Sequence, residues 1–176
     1  MEKRSAKPGA GGARRTAQRA AGVSETVRLR PSSDDQHQIV FFERHPDDDP
    51  GRASPGRKFL NGCPTSVRTK LRAVLAAVAA APPKRFAGGG YWEAMHGEMN
   101  GWHEIRVDGE PRRTHYRLFC LLDNEAEGWT KPLLVVVTGM SKPFRTVLSE
   151  RDYTQVRALG DEYKARNPRS LVQSEN

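Results

Sequence analysis

Several arginines lie inside segments that otherwise read as the core of a β-sheet, and this limits the folds open to the chain. Between residues 92 and 145 run Trp102-His103-Glu104-Ile105-Arg106-Val107, a charged turn, then His115-Tyr116-Arg117-Leu118-Phe119-Cys120. The apolar run Leu133-Leu134-Val135-Val136-Val137 follows and leads to Ser141-Lys142-Pro143-Phe144-Arg145. A half-buried guanidinium is costly unless a carboxylate or another anion partners it. The pattern therefore points to a sheet built to hold phosphate, whose oxygens match the planar guanidinium fork.

Register sharpens that expectation. With a hairpin turn centred on residues 110–113, Val107 faces Tyr116 and Arg106 lies opposite Arg117. Strand alternation then puts Trp102, Glu104 and Arg106 on one face with Arg117, Phe119 and Leu121. Two like charges placed opposite each other are destabilising. Glu104 can compensate one of them, which leaves the other for an external anion. Lys142 and Arg145 follow the apolar strand, Arg112 and Arg113 sit in the turn, and His96, His103 and His115 are scattered through the same strands. Alternation turns His103 away from Arg106. A strand histidine is more often structural than catalytic, so the identity of any proton-transfer group stays open.

The rest of the chain frames this stretch. Residues 1–36 are rich in Gly, Ala, Arg, Ser and Pro and are expected to be a disordered basic tail. The net charge is +8, but residues 1–30 hold eight basic side chains against two glutamates. The other 146 residues carry 21 basic and 19 acidic side chains, so any anion site there depends on local placement. A single domain is expected over residues 37–168, with a disordered end over 169–176. It opens on a short strand at 37–43, followed by a turn around Asp47, Asp48 and Asp49 that lacks calcium-loop spacing.

Phe59 and Leu60 mark a first short helix. Val67, Leu71, Val74, Leu75 and Val78 form the apolar stripe of a second, which Pro82-Pro83 end. Its Arg68, Lys70 and Arg72 read as a solvated face, with a phosphate-facing ridge as the alternative. Gly88-Gly89-Gly90 is a hinge and lacks the residues of a phosphate loop. Strands are expected over 91–99, 101–108, 115–123 and 133–138, the last apolar on both faces as a central strand is. Ser149, with Asp152 three residues on, caps a last helix over 149–166. This order predicts an α+β layer fold, one curved sheet with helices packed to one side.

Cys63 and Cys120 stand 57 residues apart without a CxxC partner, which fits reduced thiols and a cytoplasmic protein. The longest apolar run, residues 73–81, is about half the length of a membrane-spanning helix, and no membrane partner is expected.

The succession of Trp92-Glu93, Trp102, Glu104-Ile105-Arg106-Val107, Tyr116-Arg117-Leu118-Phe119-Cys120 and Lys142-Pro143-Phe144 resembles the phage-derived HigB-type branch of the RelE superfamily. These are toxins of type II toxin–antitoxin modules, and the likeness spans residues 39–166. It implies a RelE-like curved antiparallel sheet with two N-terminal helices packed on it and a C-terminal helix. It also implies a ribosome-dependent mRNA endoribonuclease, with mRNA on the ribosome and a helix-turn-helix antitoxin as partners. Such an enzyme drives the ribose 2′-OH onto the adjacent phosphate and takes no metal or cofactor. By resemblance Arg106, Arg117 and Arg145 are the catalytic residues, and Lys142, Arg113 and His115 bind RNA. Glu104 departs from the pattern, standing where related toxins carry a lysine.

Two other readings compete. One is a non-catalytic nucleic-acid or protein-binding module on the same fold. The other is a structural protein whose arginines are paired internally, recognisable by carboxylates such as Glu93, Glu98 or Glu104 within reach of both. An open, carboxylate-free pocket between Arg106, Arg117 and Arg145 would favour the toxin. Ser141 and Ser149 lack the context of a nucleophile elbow, so a Ser-His-Asp triad is not supported.

Overall fold

The structure, a computed structural model, describes residues 31–81, 90–109 and 114–174. Most of the basic tail (residues 1–30), the Pro82-Pro83 pair, two of the three hinge glycines, the hairpin turn with Arg112 and Arg113, and the last two residues lie outside the described residues. The elements in chain order are β1 (Gln38–Phe42), α1 (Pro55–Gly62), α2 (Thr65–Ala80), β2 (Trp92–Ala94), β3 (Trp102–Gly109), β4 (Thr114–Asp123), β5 (Leu133–Pro143), α3 (Glu150–Lys164) and β6 (Leu171–Gln173). Together they make an α+β fold whose single sheet has strand order β2-β3-β4-β5-β1-β6.

Strand β5 is the hinge of the architecture. It is apolar on both faces, so each face needs its own cover. Leu134 and Val136 point into a cluster with Leu60, Val67, Leu71, Leu75 and Val78 of α1 and α2. Leu133, Val135 and Val137 point the other way, into a cluster with Val156 and Tyr163 of α3. The expectation of helices on one side is corrected accordingly: α1 and α2 cover one face and α3 the other. Close approach is built in on both sides by glycine. A Cβ on Gly139 of β5 would collide with the Phe59 ring of α1, and one on Gly160 of α3 would collide with the Trp102 indole.

The sheet is mixed, which corrects the wholly antiparallel expectation. β1 runs parallel to β5, with Gln38 opposite Leu133 and Phe41 opposite Val136. Everything from α1 to β4 intervenes between these two strands, and parallel neighbours require such a long return. The β3–β4 register is the expected one, with Val107 opposite Tyr116 and Arg106 opposite Arg117. In the β4–β5 ladder, Phe119 pairs with Thr138 and Cys120 with Val136, so Val137 is the extra residue of a β-bulge.

Several boundaries differ from the sequence reading, and β5, expected over 133–138, runs on to Pro143. The strand expected over 91–99 stops at Ala94, and Gly97–Met99 forms a 3-10 turn instead. Gly97 and Gly101 take φ of 65° and 87°, a region open to glycine, and this bends the chain back into β3. The end expected to be disordered, residues 169–176, contains β6, which pairs antiparallel with β1. Arg169 pins it. Its Nε donates to Asp123 at 2.9 Å, its Nη1 donates to the carbonyls of Lys164 and Arg166, and its guanidinium lies 5.1 Å from the Tyr163 ring centre.

Local chemistry explains the remaining elements. The Ser149 hydroxyl accepts the Asp152 amide while the Asp152 carboxylate accepts the Ser149 amide, a reciprocal cap that starts α3. The aspartates after β1 are used internally: Asp49 accepts the amides of Gly51 and Ala53, and Asp48 pairs with Arg166 at 2.6 Å. Cys63 and Cys120 are both free and buried. No helix among the described residues is long and apolar enough to cross a membrane.

Candidate functional site

The arginines meet on the α3 side of the sheet, near the β3–β4 hairpin end. Arg106 and Arg117 lie directly opposite each other, and Arg117 lies opposite Met140 of β5. Alternation decides this face: Trp102, Phe119 and Leu121, of the same parity, are buried in the α3-side cluster.

Glu104 lies one pleat inward and is 2% exposed. Its Oε1 accepts from Arg106, with Nε at 2.6 Å and Nη2 in closer contact, and its Oε2 accepts Nη1 of Arg117 at 3.0 Å. Glu93, facing Glu104 across β2 and β3, takes Nη1 of Arg106 at 2.9 Å. Burial opposes the charge on Arg106, but the hydrogen bonds and charge of Glu104, with Glu93 beyond, outweigh it and raise its pKa. The Nε of Arg117 is buried and finds no acceptor.

This differs from the expectation that Glu104 compensates one arginine and leaves the other free. Glu104 reaches both, and Glu93 adds a second carboxylate, the pattern expected of internal pairing. The reason is geometric. Two directly opposed guanidiniums leave one carboxylate, one pleat away, within reach of both forks.

Beside the pair, Nδ1 of His115 lies 2.5 Å from Oδ1 of Asp108, the residue opposite it in the ladder. In the neutral ring that contact favours a proton on Nδ1 and leaves Nε2 as the exchanging nitrogen. The His115 ring lies 4.6 Å from the Phe144 ring, tilted by 32°. His103 lies on the other face, stacked on Trp92 at 4.7 Å with the rings 8° from parallel. Burial lowers its pKa, and its Nδ1 has no partner, so it takes no part in the site.

At the hairpin end of the sheet a groove of about 880 Å³ draws on both faces. Arg106, Arg117 and His115 line it from the α3 face and Lys70 of α2 from the other, together with Tyr91 and Asp108. Glu93 and Glu104 do not line it. Among the described residues the lining holds three cations, Lys70, Arg106 and Arg117, against the single carboxylate of Asp108, and the arginines are paired behind it. Lys70 Nζ is 3.5 Å from the Asp108 carbonyl. The groove can receive an anion at its cationic wall and a flat ring at Tyr91, which is 61% exposed.

The other expected residues sit elsewhere. Lys142 is opposite His115 in the ladder, but its Nζ is 2.9 Å from Asp152 of α3. Lys142, with the amide and hydroxyl of Ser149, holds the Asp152 carboxyl down at about 2. Arg145 occupies an exposed turn after β5 with φ of 67° and does not line the groove. Arg113 lies outside the described residues.

The sequence places Lys70 on a helix face read as solvated and does not single out Tyr91 or Asp108. Asp108 was accessible, since it shares the parity of Arg106. Lys70 was not, because helical periodicity says only that it faces away from the apolar stripe of α2. No protein-family model, curated protein or solved structure matches the chain.

Proposed function

We propose that this domain is the toxin of a type II toxin–antitoxin module, a ribosome-dependent mRNA endoribonuclease. One observation carries the reading: Arg106, Arg117 and His115 line one groove where, among the described residues, cations outnumber carboxylates. In the reaction the 2′-oxygen attacks the adjacent phosphorus and loses its proton to a base. The bond from phosphorus to the 5′-oxygen breaks, and that oxygen takes a proton from an acid. Arg106, whose side chain is 43% exposed, exchanges Glu93 for a phosphate oxygen. Arg117 donates from beside it, and together they stabilise charge on the pentavalent phosphorus. Nε2 of His115, oriented by Asp108, is the proton-transfer group nearest the pair in the ladder. Glu104 acts as the buried carboxylate that aims both guanidiniums. A helix-turn-helix antitoxin that covers the groove would silence the activity.

A second reading, a non-catalytic protein on the same fold, either a binding module or a structural protein with internally paired arginines, is favoured by the carboxylates. Glu93 and Glu104 between them neutralise Arg106 and Arg117 in the resting state. The deciding experiment is tightly induced expression in a bacterium of wild type, Arg117→Ala and His115→Ala at matched soluble levels. Growth arrest by wild type, relieved by both substitutions, is the expected result. Normal growth with abundant soluble wild type would reject the toxin and leave the second reading.

A further inference from the structure

We propose that the groove contains a nucleobase subsite for single-stranded RNA, with Tyr91 as its stacking platform; this rests on reading the groove as an RNA site. Large apolar side chains in this domain are mostly buried, and among the described residues only Tyr91, Phe144 and Val147 are markedly exposed. Of these three, Tyr91 alone lines the groove. Its position is held by the sheet, because the Arg106 amide donates to the Tyr91 carbonyl at 3.0 Å and so extends the β2–β3 ladder by one step. Tyr91 and Arg106 are therefore cross-strand neighbours, about 4.8 Å apart in the hydrogen-bonding direction. Beyond Arg106 comes Arg117, so one tyrosine and two arginines occupy successive positions across the sheet, and all three line the groove.

A flat ring beside paired cations matches the chemistry of a nucleotide, with a π-face for the base and donor forks for the phosphate. An acidic peptide would use the cations but has no need of an exposed ring. A duplex keeps its bases stacked inside, so the ring could not reach one. A single strand with a splayed base uses both features. Stacking of this kind is tolerant of base identity, since every base offers a π-face.

The test uses the full chain and a short fluorescent 2′-O-methyl oligoribonucleotide, which cannot be cleaved because the nucleophilic hydroxyl is blocked. Its binding is followed by anisotropy at low salt. Wild type is expected to bind the single strand more tightly than a duplex of the same sequence or a polyglutamate competitor. Tyr91→Ala is expected to weaken binding about tenfold, and Tyr91→Trp to retain it. Tyr91 is exposed, so these variants are expected to fold, and matched circular dichroism verifies it. Equal affinity of Tyr91→Ala and wild type, no binding by wild type, or preference for the duplex or the acidic peptide would each overturn the subsite. This readout is separate from growth arrest. Tyr91-dependent binding by a non-toxic protein would keep the subsite and remove the enzyme; growth arrest without Tyr91-dependent binding would do the reverse.

Discussion

Glu104 and Arg117 are diagonal neighbours on adjacent strands, with Oε2 and Nη1 3.0 Å apart and the carboxylate almost fully buried. The same carboxylate takes Arg106 on its other oxygen, so one buried anion orients two opposed cations.

Removing Glu104 should therefore be far more damaging than removing Glu93. Glu104→Ala strands Arg117, whose side chain is only 17% exposed, beside a second positive charge. The expected loss is about 3 kcal/mol, read from the urea midpoint. The Glu93 side chain is 33% exposed against 3% for Glu104, so Glu93→Ala should cost less than about 1 kcal/mol. Equal losses from the two substitutions would contradict this ordering.

Glycine at 160 is a packing requirement. Gly160→Ala would gain helix propensity but push a methyl group into the Trp102 indole, with an expected net loss of about 1–2 kcal/mol. A shift in tryptophan emission should accompany it. Gly62, at the end of α1, has open space around its Cβ position, and Gly62→Ala should be neutral or stabilising by up to about 1 kcal/mol. A stabilised Gly160→Ala protein would show that α3 does not sit against Trp102.

Acid should loosen α3 and the β4 end. Lys142 and Ser149 hold Asp152 down at about 2. Burial pushes Asp123 up, but hydrogen bonds from Tyr163, the Glu125 amide and Arg169 outweigh it and hold it below its ordinary value. Both folded-state values lie below the unfolded value of about 3.9, so the stabilisation is complete above that pH and fades as the pH falls below it. For Asp152 the window closes at about pH 2. Asp152→Asn should flatten the acid branch of the stability curve measured by circular dichroism. Superimposable wild-type and variant curves in this window would refute the linkage.

Arg169 should control the outer edge of the sheet. Arg169→Ala removes its contacts to Asp123, Tyr163 and two carbonyls, and β6 should then fray from β1. Hydrogen exchange should accelerate at Glu43, whose amide donates to Ser170, while the Gln38 amide, bonded to Pro132, keeps its protection. Unchanged exchange at Glu43 would show that β6 holds without its anchor.

Much of this arrangement was legible before any coordinates. The opposition of Arg106 and Arg117 followed from a short hairpin and strict alternation. The Ser149–Asp152 cap and the stripe from Val67 to Val78 followed from spacing along one helix. Glycine conformations that end β2 early were less visible, because a strand-like run does not reveal which glycine takes positive φ. The apolar Leu133–Val137 run announced a strand covered on both sides, yet not which helices would cover it.

Short-range spacing thus determined the elements, the β3–β4 register and the presence of two arginines on one face. Tertiary structure alone decided that α3 takes the opposite face from α1 and α2, that β1 joins β5 in parallel, and that β6 closes the edge. It also decided the partners of the arginines and brought Lys70 and Tyr91 to the same groove. The physical reason is range. Alternation and capping act between residues a few positions apart, whereas face, strand order and charge pairing come from burying both sides of one sheet at once.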